Sequence, residues 1–323
     1  MRVVFDNEIA NQIFVPFHEY RRPMQVERLF QGSSELVVEV GSGQGEFLVQ
    51  QALERPQCRY IGIEMDWGRV RKICQRVARL EERERKNAVD RIRIFHVDAW
   101  IFFERMCAPR TLDELVCLFP CPWPKDRHEH HRLFSNEFLR VLNSRLKEGK
   151  ALTVVTDHLP YAQWIEEQAR AADTGFDLKL EETGSRFDTK FERKWRAAGQ
   201  DVFYRMEFTK ARNVDMPLKE DISLKAYYHQ KFEPERFVLT DESAGQAVIF
   251  KDFLYDPRQK KGVVQVVVSE PHLTQHVFIG IVSTEKGWCV LKMGGQQVVP
   301  SDGVARAIEL VSRAVEQSGR GGL

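Results

Sequence analysis

The stretch "VVEVGSGQGEFL", residues 37–48, decides how the rest of the chain is read. A β-branched run reaches Glu39 and Val40 and stops at three alternating glycines, Gly41, Gly43 and Gly45. Glycine there admits backbone conformations closed to other residues and lets the main chain approach a ligand closely. The pattern therefore predicts a strand, a tight turn and a helix from about Glu46, with the helix amides behind the turn. A dinucleotide fingerprint would place its third glycine at position 46, where glutamate stands, so a pyrophosphate cradle is disfavoured.

Outward from this turn, residues 36–209 alternate short apolar runs with helical patterns, the signature of a parallel sheet covered on both faces. The expected strands are Leu36–Val40, Arg59–Glu64, Arg91–Val97, Leu112–Phe119, Ala151–Thr156, Phe176–Glu182 and Asp201–Phe208. The clearest helix runs from Asp66 to about Arg85, with Val70, Ile73, Val77 and Leu80 at helical spacing. After Lys210 the stretch "ARNVDMPLKEDIS" reads as a linker. Beyond it, β-rich runs at 246–254, 263–268, 276–283 and 288–293 precede one helix with Val304, Ile308, Val311 and Val315 on a face, ending in a flexible "SGRGGL". The expected organisation is an N-terminal arm at 1–30, an α/β doubly wound, mostly parallel domain at 31–210, a linker at 211–235, and a small α+β domain at 236–323.

Composition narrows the function classes. The chain has 323 residues, 48 basic and 47 acidic, so attraction for a polyanion must come from local clusters. One such cluster is Arg69–Arg93, with ten Arg or Lys against four Asp or Glu; a solvated helix face explains it equally well. Six cysteines without C-x-x-C spacing, a start lacking a signal-peptide core, and no run of membrane-spanning length indicate a reducing, cytoplasmic setting.

The G-x-G-x-G spacing with an acid just before it resembles the S-adenosylmethionine loop of Rossmann-like methyltransferases. Two later acids fit the same plan. Glu64 ends the second strand in "YIGIEMD", where a carboxylate accepts from ribose hydroxyls, and Asp98 ends the third in "FHVDAW", placed for an adenine amino group.

The fourth strand ends at "FPCPWPKDRH", residues 119–128, beside the expected donor methyl. With "VTD" at 155–157 and "TKFE" at 189–192, this resembles the bacterial tRNA (guanine-N7)-methyltransferases, which carry F-P-D-P-W-x-K-x-R-H, then A-T-D, then T-K-F-E. The resemblance covers about residues 15–210. It implies cofactor contacts from Glu39, Gly41, Gly43, Gly45, Glu64, Asp98, Ala99 and Cys121. It implies tRNA and guanine contacts from Lys125, Arg127, Asp157, Thr189, Lys190, Phe191 and Glu192, with the target guanine in the variable loop. Two departures stand out: Cys121 replaces the aspartate to which the family assigns catalysis, and "RKWRAAGQ" follows TKFE in place of a glycine- and arginine-rich run.

The chemistry agrees with a guanine acceptor, because N7 carries a free lone pair and needs alignment rather than deprotonation. Asp157 and Glu192 are the carboxylates expected to hold the base and oppose the ring's developing positive charge. Lys125, Arg127, Arg132, Arg186, Lys190, Arg193, Lys194 and Arg196 suit a phosphate backbone. His128, His130 and His131 lack the companion ligands of a metal site, and no metal is expected. A monomer or homodimer is expected. Three alternatives remain open: another RNA acceptor, a tRNA-binding protein weakened in catalysis by Cys121, and a methyltransferase with a non-RNA substrate.

Overall fold

A computed structural model of the chain describes residues 7–320 apart from 19, 33, 172, 185–189, 198, 200, 201, 244 and 245. Its contacts divide the chain between Lys219 and Glu220.

The first unit runs α1 (Asn7–Ile13), β1 (Phe14–Val15), α2 (Val26–Leu29), β2 (Leu36–Val40), α3 (Glu46–Glu54), β3 (Arg59–Glu64), α4 (Trp67–Ala78), α5 (Glu82–Arg91) and β4 (Ile92–His96). It continues with α6 (Ala99–Ile101), which passes into a π-turn at Phe102–Met106. Then come β5 (Leu112–Leu118), a 3-10 turn at Asp126–His131, α7 (Asn136–Arg145) and β6 (Leu146–Thr156). The last elements are α8 (Leu159–Ala171), β7 (Phe176–Thr183), α9 (Lys190–Ala197) and β8 (Phe203–Lys210). The sheet order is β1-β4-β3-β2-β5-β6-β8-β7, and only β8 opposes its neighbours.

Every residue of β2 and β3 is buried, because helices cover both faces; this is why these strands read as continuous apolar runs rather than alternations. Val37, Leu48, Tyr60, Val70, Ile73, Val77 and Ile94 share one core cluster. The strand order reverses between β2 and β5, and the cleft of such a sheet opens there, at the carboxyl ends.

In this unit four expectations need correction. The helix expected over Asp66–Arg85 is two, α4 and α5, because its apolar stripe ends at Leu80 and α5 turns to bury Ala88. Strand β6 begins at Leu146 rather than Ala151; Lys147, Glu148 and Gly149 are exposed and carry no apolar signal. The N-terminal arm is integral to the unit: α1 buries Ile9, Ala10 and Ile13, and β1 pairs with β4 as the sheet's edge.

The fourth concerns the linker, whose first half is sewn to this unit. Asn143 donates to Arg212 O (3.1 Å) and accepts from Val214 N (2.9 Å). Arg145, fully buried, donates to Phe103 O (2.7 Å), Met216 O (2.6 Å) and Pro217 O (3.4 Å). A guanidinium can be buried only when its fork is filled, and these carbonyls fill it.

The second unit contains β9 (Tyr227–His229), β10 (Ala247–Asp256), β11 (Lys261–Glu270), β12 (Leu273–Thr284), β13 (Gly287–Lys292) and α10 (Asp302–Arg320). Its sheet is antiparallel throughout, in the order β10-β11-β12-β13-β9. Val264, Val266, Val268, Val277, Ile279 and Ile281 pack with Val304, Ile308, Val311 and Val315 of α10. Strand β9 was not foreseen, since three residues carry too little pattern. Helix α10 extends to Arg320, into the stretch expected to be a flexible tail; residues 321–323 lie outside the described residues. Among the described residues no helix is long and apolar enough to cross a membrane.

Candidate active site

The glycine turn takes the expected shape: Gly41, Gly43 and Gly45 have φ of 71°, 54° and 72°, left-handed values that side chains disfavour. Gly41 N and Ser42 N donate to Ile63 O at 2.9 and 3.0 Å, tying the turn to the end of β3. A Cβ on Gly45 would meet Ile73 Cγ2 at 2.7 Å, so glycine is also required there for α4 to pack close.

Two carboxylates lie behind this turn. Glu39 is 4% exposed, and its Oε2 is buried without a hydrogen-bond partner in a cleft lined also by Gly41, Gly43, Arg69 and Phe119. Burial pushes its carboxyl up to about 8, and repulsion from Glu64 adds to the rise. Glu64, also 4% exposed, accepts from Gly43 N (2.8 Å) and Asp66 N (2.9 Å), with Arg69 at 3.7 Å. Each oxygen keeps a second lone pair for a hydroxyl donor. Asp98 Oδ1 caps α6 by accepting from Trp100 N at 2.8 Å, and Ala99 is buried beside it.

The loop after β5 is the second component. Phe119 N donates to Val155 O at 2.7 Å, which aligns the end of β5 with the end of β6, where Asp157 follows, half-buried. Phe119 and Trp123 hold φ of 55° and 43°, left-handed values for bulky residues. Cys121 is exposed and free, and Lys125 and Arg127 are exposed. The histidine rings lean on one another and on Trp123: His130–His131 centroids are 3.9 Å apart and Trp123–His131 4.9 Å. Among the described residues no group of three or more His, Cys, Asp or Glu is arranged to hold a metal.

Topology brings in the third component. Thr156 pairs with Tyr204, and Thr183 with Phe203, so the segment between β7 and β8 emerges at the edge where Asp157 lies. Helix α9 begins there at Lys190, and Glu192 is 1% exposed. Arg186 and Thr189 lie outside the described residues, and only the backbone is described for Lys190 and Phe191. Arg193 Nη2 lies 2.9 Å from Glu46 Oε1, which also faces Arg76 at 3.2 Å; Arg76 Nε donates to Gln44 O at 3.0 Å. Sequence reading missed Glu46 and Arg76, since one acid after a glycine turn and one base within a basic helix look like solvated surface.

All three components therefore meet at one sheet edge. A family model described as "Putative methyltransferase" matches residues 33–205. A protein of Chlorobium phaeobacteroides named "tRNA (guanine-N(7)-)-methyltransferase" is 37% identical over 178 residues, 55% of this chain and 83% of that protein. One of the same name from Chlamydia caviae is 31% identical across 62% of this chain and 89% of its own length. A third, from Deinococcus radiodurans, is 29% identical across 93% of this chain and 96% of its own length, a span that takes in the second unit. The edge-built site and these matches agree: the chain belongs to the bacterial tRNA (guanine-N7)-methyltransferase family.

Proposed function

We infer that this protein methylates N7 of guanine in tRNA, using S-adenosylmethionine. The observation that carries the reading is the meeting of the glycine turn, the 119–128 loop and α9 at one carboxyl edge, within a chain of this family. The residues present fit the cofactor on one structural point. A buried carboxylate oxygen without a partner, Glu39 Oε2, is what a bound ammonium group would satisfy. When bound, S-adenosylmethionine supplies an electrophilic methyl group on a sulfonium.

The chain's own groups do the rest. Glu39 holds the amino-acid end, Glu64 accepts from the ribose hydroxyls, and Asp98 with Ala99 borders the adenine. The glycine turn lets backbone amides approach without side-chain interference. Asp157 and Glu192 orient the guanine through its N1 and amino hydrogens and oppose the charge gathering on the ring. Lys125 and Arg127, both exposed, meet phosphates. Since N7 needs no general base, alignment is the main contribution, and Cys121 occupies space in the loop without reacting. The target guanine lies in the variable loop.

The test is incubation with labelled cofactor and unmodified tRNA, followed by strand cleavage selective for 7-methylguanine. Label confined to one variable-loop guanine is expected. Label on another base, or none, removes this reading.

A further inference from the structure

Among the basic residues of the 118–132 stretch, Arg132 differs from its neighbours. Lys125 and Arg127 are exposed, Arg127 donating from Nε to the neighbouring His128 Nε2 at 3.2 Å, but the Arg132 side chain is only 9% exposed. Its Nε donates to Pro122 O at 3.1 Å, across ten residues, and its Nη1 lies 3.7 Å from Glu129 Oε2. The guanidinium carbon lies 5.2 Å from the Trp164 ring centroid and 5.8 Å from that of Tyr161. Trp164 closes the circuit by donating from Nε1 to Glu129 Oε1 at 2.8 Å. Tyr161 and Trp164 belong to α8, which starts two residues after Asp157.

We propose that Arg132 is a positioning residue for methyl transfer: it fixes the Cys121–Trp123 backbone to the start of α8 and so sets the space between that loop and Asp157. The proposal rests on the reading of this loop and Asp157 as the acceptor site. The loop needs such a clamp, because residues 120–124 belong to no helix or strand while Phe119 and Trp123 hold left-handed φ values. Only arginine suits the place. One planar group donates edge-on to a carbonyl and stacks face-on against aromatic rings, which a lysine ammonium does not do. Since its charge is spent internally, Arg132 contributes no phosphate contact, contrary to its expected place among the backbone-binding cations.

The experiment uses full-length protein carrying Arg132→Lys, with Arg132→Ala as a second variant. Under saturating tRNA and cofactor, kcat is expected to fall about tenfold in the lysine variant and about a hundredfold in the alanine variant. S-adenosylhomocysteine affinity and the salt slope of tRNA binding stay as in the wild type. If kcat holds and the slope instead drops by roughly 0.7 to 0.9, Arg132 is a phosphate contact and the proposal fails. Hydrogen exchange gives a readout independent of activity: the amides of Cys121, Trp123 and Lys125 should exchange faster in the lysine variant, with those of residues 41–45 unchanged. That comparison stands even if the wild type methylates no guanine, whereas unchanged exchange in the folded lysine variant overturns the clamp. If the alanine variant does not fold, the lysine variant carries both readouts.

Discussion

Arg193 Nη2 on α9 lies 2.9 Å from Glu46 Oε1, the first residue of α3 after the glycine turn, so one carboxylate joins the segment proposed to hold the acceptor to the turn proposed to hold the donor. The two side chains are 46% and 20% exposed, and such a pair contributes about 0.5 kcal/mol to stability at most sites. Its expected effect is on coupling instead. S-adenosylhomocysteine should tighten tRNA binding in the wild type by several-fold, and Glu46→Gln or Arg193→Gln should each reduce that factor. In the double variant the loss should be no larger than in either single one. Additive losses would show that the pair does not connect the sites.

Glu39 gives a pH signature. Its folded-state carboxyl, raised to about 8, binds a proton that the unfolded chain releases near the ordinary glutamate range. The folded state therefore holds more protons between those values, and stability falls as pH rises through about 8. Below the unfolded value the contribution is fully present. The expected size is a few kcal/mol, at about 1.4 kcal/mol per unit. Chemical denaturation of cofactor-free protein at pH 5.5 and 8.5 should show the loss, and Glu39→Gln should abolish it. A bound cation favours ionised Glu39, so cofactor binding below pH 8 should release a proton, measurable as a buffer-dependent calorimetric heat.

Salt dependence tests the phosphate contacts. Affinity for tRNA should fall log-linearly with salt, and Lys125→Gln or Arg127→Gln should each flatten the slope by roughly 0.7 to 0.9. Arg193→Gln should flatten it less, because Glu46 already faces that guanidinium. The basic neighbourhood belongs to the first unit: residues 220–323 carry 12 Lys or Arg against 13 Asp or Glu. A zero slope with methylation intact would mean that a free nucleoside or nucleotide is the substrate.

Catalysis by alignment predicts an unequal response to substitution. Cys121→Ala should keep kcat within about tenfold, about 1.4 kcal/mol of barrier, and Cys121→Asp should be tolerated. Asp157→Asn and Glu192→Gln should each lose on the order of a hundredfold; the amides keep volume, which matters at Glu192, where 1% exposure would leave an alanine cavity. A Cys121→Ala protein that binds both substrates but transfers no methyl group would make the thiol the nucleophile.

The place of truncation should matter. A chain ending at Lys219 retains the carbonyls of Met216 and Pro217 around Arg145, and it should fold and bind S-adenosylhomocysteine. A chain ending at Ala211 removes them and leaves a buried cation underpaired, a loss of about 3 to 5 kcal/mol. Thermal melts of the two should differ accordingly. Equal melting temperatures would mean that Arg145 finds other partners.

Much of the candidate site's local geometry was legible in the residues themselves. Gly41, Gly43 and Gly45 take positive φ because no other residue does so at low cost; Glu64 ends β3, and Asp98 follows the end of β4 by two residues, as the cap of α6. Strands β2 and β3 match their expected limits, since full burial on both faces leaves an uninterrupted pattern. Tertiary structure decided which charges are used. Arg132 and Arg193 read alike in sequence as phosphate contacts and Arg145 carried no signal, yet Arg132 donates to Pro122 O, Arg145 fills its fork with carbonyls, and Arg193 reaches Glu46 behind the glycine turn. It also set β8 antiparallel between β6 and β7, which carries α9 to the edge of the glycine turn. Periodicity records only whether a side chain meets apolar or aqueous surroundings along its own element. The partner of a long polar side chain, and the neighbour of a strand, are set by segments tens of residues away.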